Sequence, residues 1–177
     1  GIAHALQELA ELARIEADSS FAEELYGESL VLLQAVGDHH CSAASLTGLG
    51  IVAHDRGDHE QALSRLTESI QLCDRLNHGI GTAWALQALA TVLAARGQAG
   101  EAAVLLGIVH SLRRSADAPL SGADAAGLED LIHAVRSSLG AARFQARWDQ
   151  GGALDLHPAT KIALEAAFHE SAQVANE

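Results

Sequence analysis

The sequence predicts an all-α protein: a solenoid of stacked helical hairpins, closed at its C-terminal end by further helices. Three observations carry this expectation. Only two prolines and 3% aromatic residues occur in the 177-residue chain, which is instead rich in the helix formers alanine and leucine. The chain also repeats itself in a register of 40 residues without a gap: Leu6, Leu46 and Leu86 coincide, then Leu9, Leu49 and Leu89, then Ala10, Gly50 and Ala90, then Ala22, Ala62 and Ala102. Within a unit, apolar residues recur at i, i+3, i+4 and i+7, as in Leu6, Leu9, Ala10 and Ala13, which makes one helix face apolar.

Each unit reads as two amphipathic helices around a polar break, so helix pairs are expected near 3–16 with 20–36, 41–56 with 59–76, and 80–96 with 99–114. The small residue on each first helix and the recurring alanine on each second helix let the two backbones approach closely. "GLG" at 48–50 reads as the same close packing inside a helix, and Glu28-Ser29 recurs as Glu68-Ser69.

The break between helices is clearest in "VAHDRGDHEQAL", residues 52–63, where His54, Asp55, Asp58 and His59 crowd together. Such a cluster suggests a metal or acid–base site. The repeat register argues otherwise, because His54, Asp55 and His59 become Ala94, Ala95 and Ala99 one unit later. Gly57 falls at the end of a first helix, where glycine tolerates the left-handed conformation of a C-cap. Asp58 is then the N-cap of the second helix, with Gln61 three residues on. The break also keeps His54 and Asp58 off a common helix face as i and i+4 ligands, and the stretch is expected to be a turn.

Beyond the repeats, "RRSADAPLSGADAAG" (113–127) is rich in helix breakers and reads as a connector. "LEDLIHAVRSSLG" predicts an amphipathic helix ending at Gly140, and "AARFQARW" a short helix with Phe144 and Trp148 one turn apart. "QGGAL" is expected to turn the chain, Asp155 to cap, and a last helix to run from about 157 to 172 with Pro158 tolerated in its first turn. The expected division is 1–113 for the three hairpins and 114–177 for a capping segment that seals the open end of the stack.

Composition excludes several function classes. The formal charge is −12, with a single lysine, Lys161, among eleven basic residues, so phosphate backbones and anionic membranes are repelled. No apolar run approaches the ~20 residues needed to span a bilayer. Cys41 and Cys73 suit reduced thiols in a cytoplasmic protein. His4, His110, His133, His157 and His169 have no second ligand at metal-like spacing, and His39-His40 and His78 fall in inter-repeat turns as solvated connectors. No Cys–His pairing, phosphate loop or nucleophile elbow is present, so no catalytic, cofactor-binding or metal-ligating residues are assigned and the chain is not read as an enzyme. Gly1 stands where a full-length chain carries Met, and more protein is expected upstream.

The small and large apolar residues at these spacings resemble the tetratricopeptide repeat, in a form with an extended second helix, over residues 3 to about 113. The usual first-helix tryptophan is replaced by Leu6, Leu46 and Leu86, and the usual late proline is missing. The tail carries a second likeness. Leu105, Leu106, Gly107, Leu112, Arg113, Pro119, Leu120, Leu139, Gly140, Phe144, Trp148, Gly151 and Leu154 are similar to the C-terminal end of large ATP-dependent (STAND-type) bacterial regulators, LuxR-type, antibiotic-regulatory or cyclase-fused. With no Walker motif or helix-turn-helix in the chain, that resemblance implies only the repeat-sensor role.

In tetratricopeptide stacks the first helices line the concave face. Carried over, that face holds Gln7, Glu8, Glu11 and Arg14, then Thr47, Ile51 and His54, then Trp84, Gln87 and Thr91. Trp84 stands out because Ala44 and His4 occupy its place in the earlier units, and an aromatic there can anchor a ligand or pack on the neighbouring connector. The expected role is a non-catalytic sensor or protein-interaction domain of a signal-transduction or transcriptional regulator. Its partner would be a protein or peptide, the nucleotide-binding domain expected upstream, or a small inducer. The competing expectation is a spacer or homo-oligomerisation scaffold without a ligand.

Overall fold

A computed structural model describes residues 1–120 and 122–168, and among these it contains nine helices and no strand. The three expected hairpins are α1 (Ile2–Ile15) with α2 (Ser19–Val36), α3 (His39–Asp55) with α4 (His59–Arg75), and α5 (Gly79–Ala95) with α6 (Ala99–Ser115).

One device ends every helix of the stack. Ala17, Gly37, Gly57, Asn77, Gly97 and Asp117 all have positive φ, so a left-handed residue recurs every 20 positions. Around each, two backbone bonds close the helix end. In the second hairpin Gly57 N donates to His54 O at 2.8 Å and Asp58 N to Ala53 O at 2.9 Å. In the first, Ala17 N donates to Arg14 O at 3.0 Å and Asp18 N to Ala13 O at 2.9 Å. This is the Schellman arrangement, which satisfies carbonyls that the helix leaves open. Asp18, Asp38 and Asp58 then cap the next helix, each carboxylate accepting the N–H three residues on: Phe21 at 3.1 Å, Cys41 at 3.0 Å and Gln61 at 2.9 Å. The sequence VAHDRGDHEQAL is a turn with the expected roles for Gly57 and Asp58.

The first helices α1, α3 and α5 lie side by side as one layer, and each second helix packs on its own partner and on the first helix of the next hairpin. Ala10, Ala22, Ala62, Ala90 and Ala102 are buried at the crossings. The glycines in GLG serve the same purpose. A Cβ on Gly48 would sit 2.5 Å from the Tyr26 ring, and one on Gly50 2.6 Å from Leu66.

The last third departs from expectation in two places. The connector is short, because α6 runs to Ser115 and α7 from Gly122 to Leu139, absorbing residues read as breakers. Gly151 and Gly152 do not turn the chain; they belong to α8 (Ala141–Gly152). The reason is a crossing with α6. A Cβ on Gly107 would lie 2.1 Å from the carbonyl oxygen of Trp148, and one on Gly151 2.0 Å from that of Val104. α6 consequently has Ala102 through Val109 buried in an unbroken run, as a helix covered on all sides must. Finally α9 (Leu156–Phe168) turns back along α4, α5 and α6; the expected continuation to 172, and His169, lie outside the described residues. His157 Nδ1 and Thr160 Oγ1 meet Asp74 Oδ1 of α4 at 2.8 Å and 2.9 Å.

The buried residues form two clusters. One joins Ala10, Ala22, Tyr26, Leu46 and Val52 of the first hairpin and α3. The other joins the second and third hairpins to Val135, Phe144, Ala163 and Ala166 of the last three helices. The outer face of the first hairpin remains open. Leu9 and Leu12 are 50% and 57% exposed, whereas their counterparts one unit on, Leu49 and Val52, are 8% and 1% exposed behind the preceding hairpin.

Candidate functional site

The first-helix layer faces a groove formed by three adjoining hollows, and Trp84 lines all of them. The hollow toward α1, of about 380 Å³, is bounded by Gln7, Glu8, Glu11, Arg14, Ile51 and Trp84. The one toward the helix C-termini, of about 220 Å³, is bounded by Arg14, Ile51, His54, Trp84, Gln87 and Thr91. The third, of about 340 Å³, holds Thr47 and Trp84 together with His40, Cys73, His78 and Arg113. Each of the ten residues expected on the concave face, Gln7, Glu8, Glu11, Arg14, Thr47, Ile51, His54, Trp84, Gln87 and Thr91, lines at least one of these hollows.

Their availability differs. Glu11 and Arg14 are paired with each other at 2.6 Å, Tyr26 Oη donates to Glu11 at 3.1 Å, and Arg14 reaches Asp55 of α3 at 3.5 Å. Burial alone would raise the Glu11 carboxyl, but the Arg14 bond and charge and the Tyr26 hydroxyl hold it below its ordinary value. Burial, and then the Glu11 charge, push the Tyr26 phenol up. This end of the groove is a closed network of charges. Thr47 is fully buried and its hydroxyl lies 2.8 Å from Ser69 Oγ, so it forms floor rather than contact surface.

The hollows beside Trp84 carry polar atoms with open valences. Gln87 Oε1, His78 Nδ1 and Arg113 Nε are buried without a hydrogen-bond partner among the described residues. Burial lowers the pKa of Arg113, and it lowers that of His78, with His40 adding to the effect. The ring of His78 meets that of His40 edge-on, with centroids 4.8 Å apart. His78 is thus no solvated connector. It takes the cap position of α5 without making a side-chain cap bond and turns into the groove wall.

Sequence reasoning missed His40, His78, Arg113, Leu120 and Asp124 as groove residues. The last two come from the connector and the first turn of α7, which lean over the groove beside Trp84. Only the tertiary path of the connector puts them there, so spacing along the chain held no signal for them.

Two histidine assignments change as well. His54 and His59 do meet across the turn, with Nδ1 atoms 3.4 Å apart. Burial, then the neighbouring His59, lower the pKa of His54. His4 also has a partner, because Cys41 Sγ lies 3.2 Å from its Nε2, with Asp38 alongside. Burial, then the Asp38 carboxylate, raise the Cys41 thiol, which disfavours a free nucleophilic thiolate. Burial pushes the Cys73 thiol up to about 11.

No described helix is long and apolar enough to cross a membrane. The family model for the tetratricopeptide repeat matches residues 1–75, the first two hairpins through the end of α4. No curated protein matches the chain. The fold is a tetratricopeptide-like solenoid of helical hairpins, and repeats of this family are in general non-catalytic protein-interaction modules.

Proposed function

We propose that the groove along α1, α3 and α5 binds a segment of a partner protein, and that the chain acts as the sensor arm of a larger cytoplasmic regulator. The observation that carries this reading is Trp84. A partly buried indole borders all three hollows of the groove, at a position where the other two units hold His4 and Ala44. Such an aromatic has the features of an interface anchor, with large apolar area at low entropic cost.

Gln87 Oε1, His78 Nδ1 and Arg113 Nε beside it supply unsatisfied hydrogen-bonding capacity. A peptide backbone offers both donors and acceptors for them. In this reading residues 1–113 present the groove and 114–177 seal the stack and lean α7 over its edge. The likeness of the tail to STAND-type regulators makes the nucleotide-binding domain of the same polypeptide the first partner to try, ahead of a small inducer.

The test is selection of peptides from a displayed library on the immobilised protein, followed by titration of each hit while tryptophan emission is read. Hits should lose at least roughly tenfold in affinity on Trp84→Ala, the scale of one interface anchor. Peptides that bind Trp84→Ala as well as wild type would remove the groove from consideration.

The exposed outer face of the first hairpin supports a second reading, a self-associating scaffold. Light scattering separates the two: a concentration-dependent dimer abolished by Leu12→Gln, with no selectable groove ligand, would favour the scaffold.

A further inference from the structure

His4 and Cys41 are 37 residues apart in sequence, yet Nε2 and Sγ lie 3.2 Å from each other. Asp38 completes a group in which one donor atom from each residue lies within 4.8 Å of the others. The repeat register shows what is ordinary here and what is not. Asp38 has a structural task, because its Oδ1 accepts the Cys41 N–H at 3.0 Å and caps α3. Moved by one unit, the same three places are Ala44, His78 and Gly81, which form no such group. The thiol and the imidazole are therefore additions to the turn, placed on facing helices beside a carboxylate whose orientation the cap bond fixes.

We propose that His4, Asp38 and Cys41 form a site for one zinc-class divalent cation bridging α1 and the start of α3. The donor set selects the ion. Thiolate, imidazole and carboxylate together suit a borderline-soft tetrahedral metal, whereas calcium and magnesium take oxygen donors. Zinc holds sulfur at about 2.3 Å and nitrogen at about 2.0–2.1 Å, so neighbouring S and N ligands stand roughly 3.5 Å apart, close to the spacing already present. Binding would convert the Cys41 thiol to a thiolate bonded to the metal, and the displaced proton would leave to solvent. Three protein ligands leave the fourth position to water. The ion would fasten the first hairpin to the second at the edge of the groove, where His4 occupies the place that Trp84 holds in the third unit.

The whole chain, stripped with chelator and kept reduced, should take up one Co²⁺ with a tetrahedral visible spectrum and a thiolate-to-cobalt charge-transfer band, both removed by Zn²⁺. Cys41→Ser should abolish that band, and His4→Ala should weaken zinc binding by at least roughly tenfold, since even outer-shell groups are worth that much. Asp38→Asn, which keeps a capping oxygen but removes the charge, should weaken it as well. Circular dichroism of each variant confirms that the helices are intact. His54→Ala/His59→Ala should leave stoichiometry and spectrum unchanged. Absence of one-to-one binding, binding that persists in Cys41→Ser, or binding lost with His54 and His59 instead would overturn the assignment.

Discussion

Ser69 Oγ donates a 2.8 Å hydrogen bond to the carbonyl oxygen of Ala43, and one unit earlier Ser29 makes the same bond to Ala3 at 2.9 Å. Both serines are fully buried. The third unit has Val109 facing the Ala83 position and dispenses with the bond. A polar staple between the two helices of a hairpin is thus used twice and replaced once by an apolar contact. Ser69→Ala should destabilise by about 1–2 kcal/mol, because Thr47 Oγ1 loses its buried neighbour as well. Chemical denaturation measures this, and no change in midpoint would show the staple to be idle.

Glycine substitutions should split by what a Cβ meets. Gly107→Ala and Gly151→Ala drive a methyl into backbone at 2.1 Å and 2.0 Å, so α6 and α8 must separate. Each should cost at least ~2 kcal/mol. Gly27 lies within α2 with open space around it, and Gly27→Ala should stabilise by about 0.5–1 kcal/mol. Thermal melts of the three variants, compared under one condition, test the contrast of sign.

The two aromatics of α8 should not be equivalent. Phe144 is 1% exposed, packed against Trp148 and beneath the Arg136 guanidinium, 4.7 Å from the ring centre, while Trp148 is only partly buried. Phe144→Ala should cost about 3–5 kcal/mol and Trp148→Ala less. Amide exchange should then quicken in 99–114 before it does in 41–76. Equal exchange in both segments would mean that α8 does not seal the stack.

Stability should fall on acidification through the histidine range. His54 and His78 have folded pKa values below their ordinary 6.5, so the unfolded chain binds more protons and stability rises with pH between the folded and unfolded values. Glu11, lowered in the fold, adds a loss of the same sign at more acidic pH. The His78→Ala variant should show a shallower decline below pH 6.5. An unchanged slope would place the titration elsewhere.

The hairpins were legible because three in-phase copies repeat the same apolar periodicity, with a break between helices at matching positions. The placement of Trp84, Gln87 and Thr91 rests on the same register, which makes them equivalents of His4, Gln7 and Glu11. Helix α7 was partly misread because Gly122 and Gly127 look like breakers, and α8 because Gly151 and Gly152 look like a turn. Gly151 is instead demanded by contact with α6, a fact about another helix that local sequence does not carry. His4 meeting Cys41 and His78 turning inward escaped for a related reason, since both depend on how one hairpin crosses the next.

In a simple solenoid each unit touches only its neighbours, and the stack flexes like a spring. The return of α9 along α4, α5 and α6, fastened at Asp74 by His157 and Thr160, changes that mechanics. It braces the second and third hairpins to the tail as one stiff block. The first hairpin lies outside the brace, joined chiefly through α3, with Arg56 just beyond that helix paired to Glu23 and Leu72 of α4 packed on its cluster. On this mechanics the first hairpin would be the compliant leaf of a jaw, and its angle would set the width of the groove. A ligand gripped between Trp84 and the Glu11–Arg14 end would swing it, while an ion held by His4 and Cys41 would latch it.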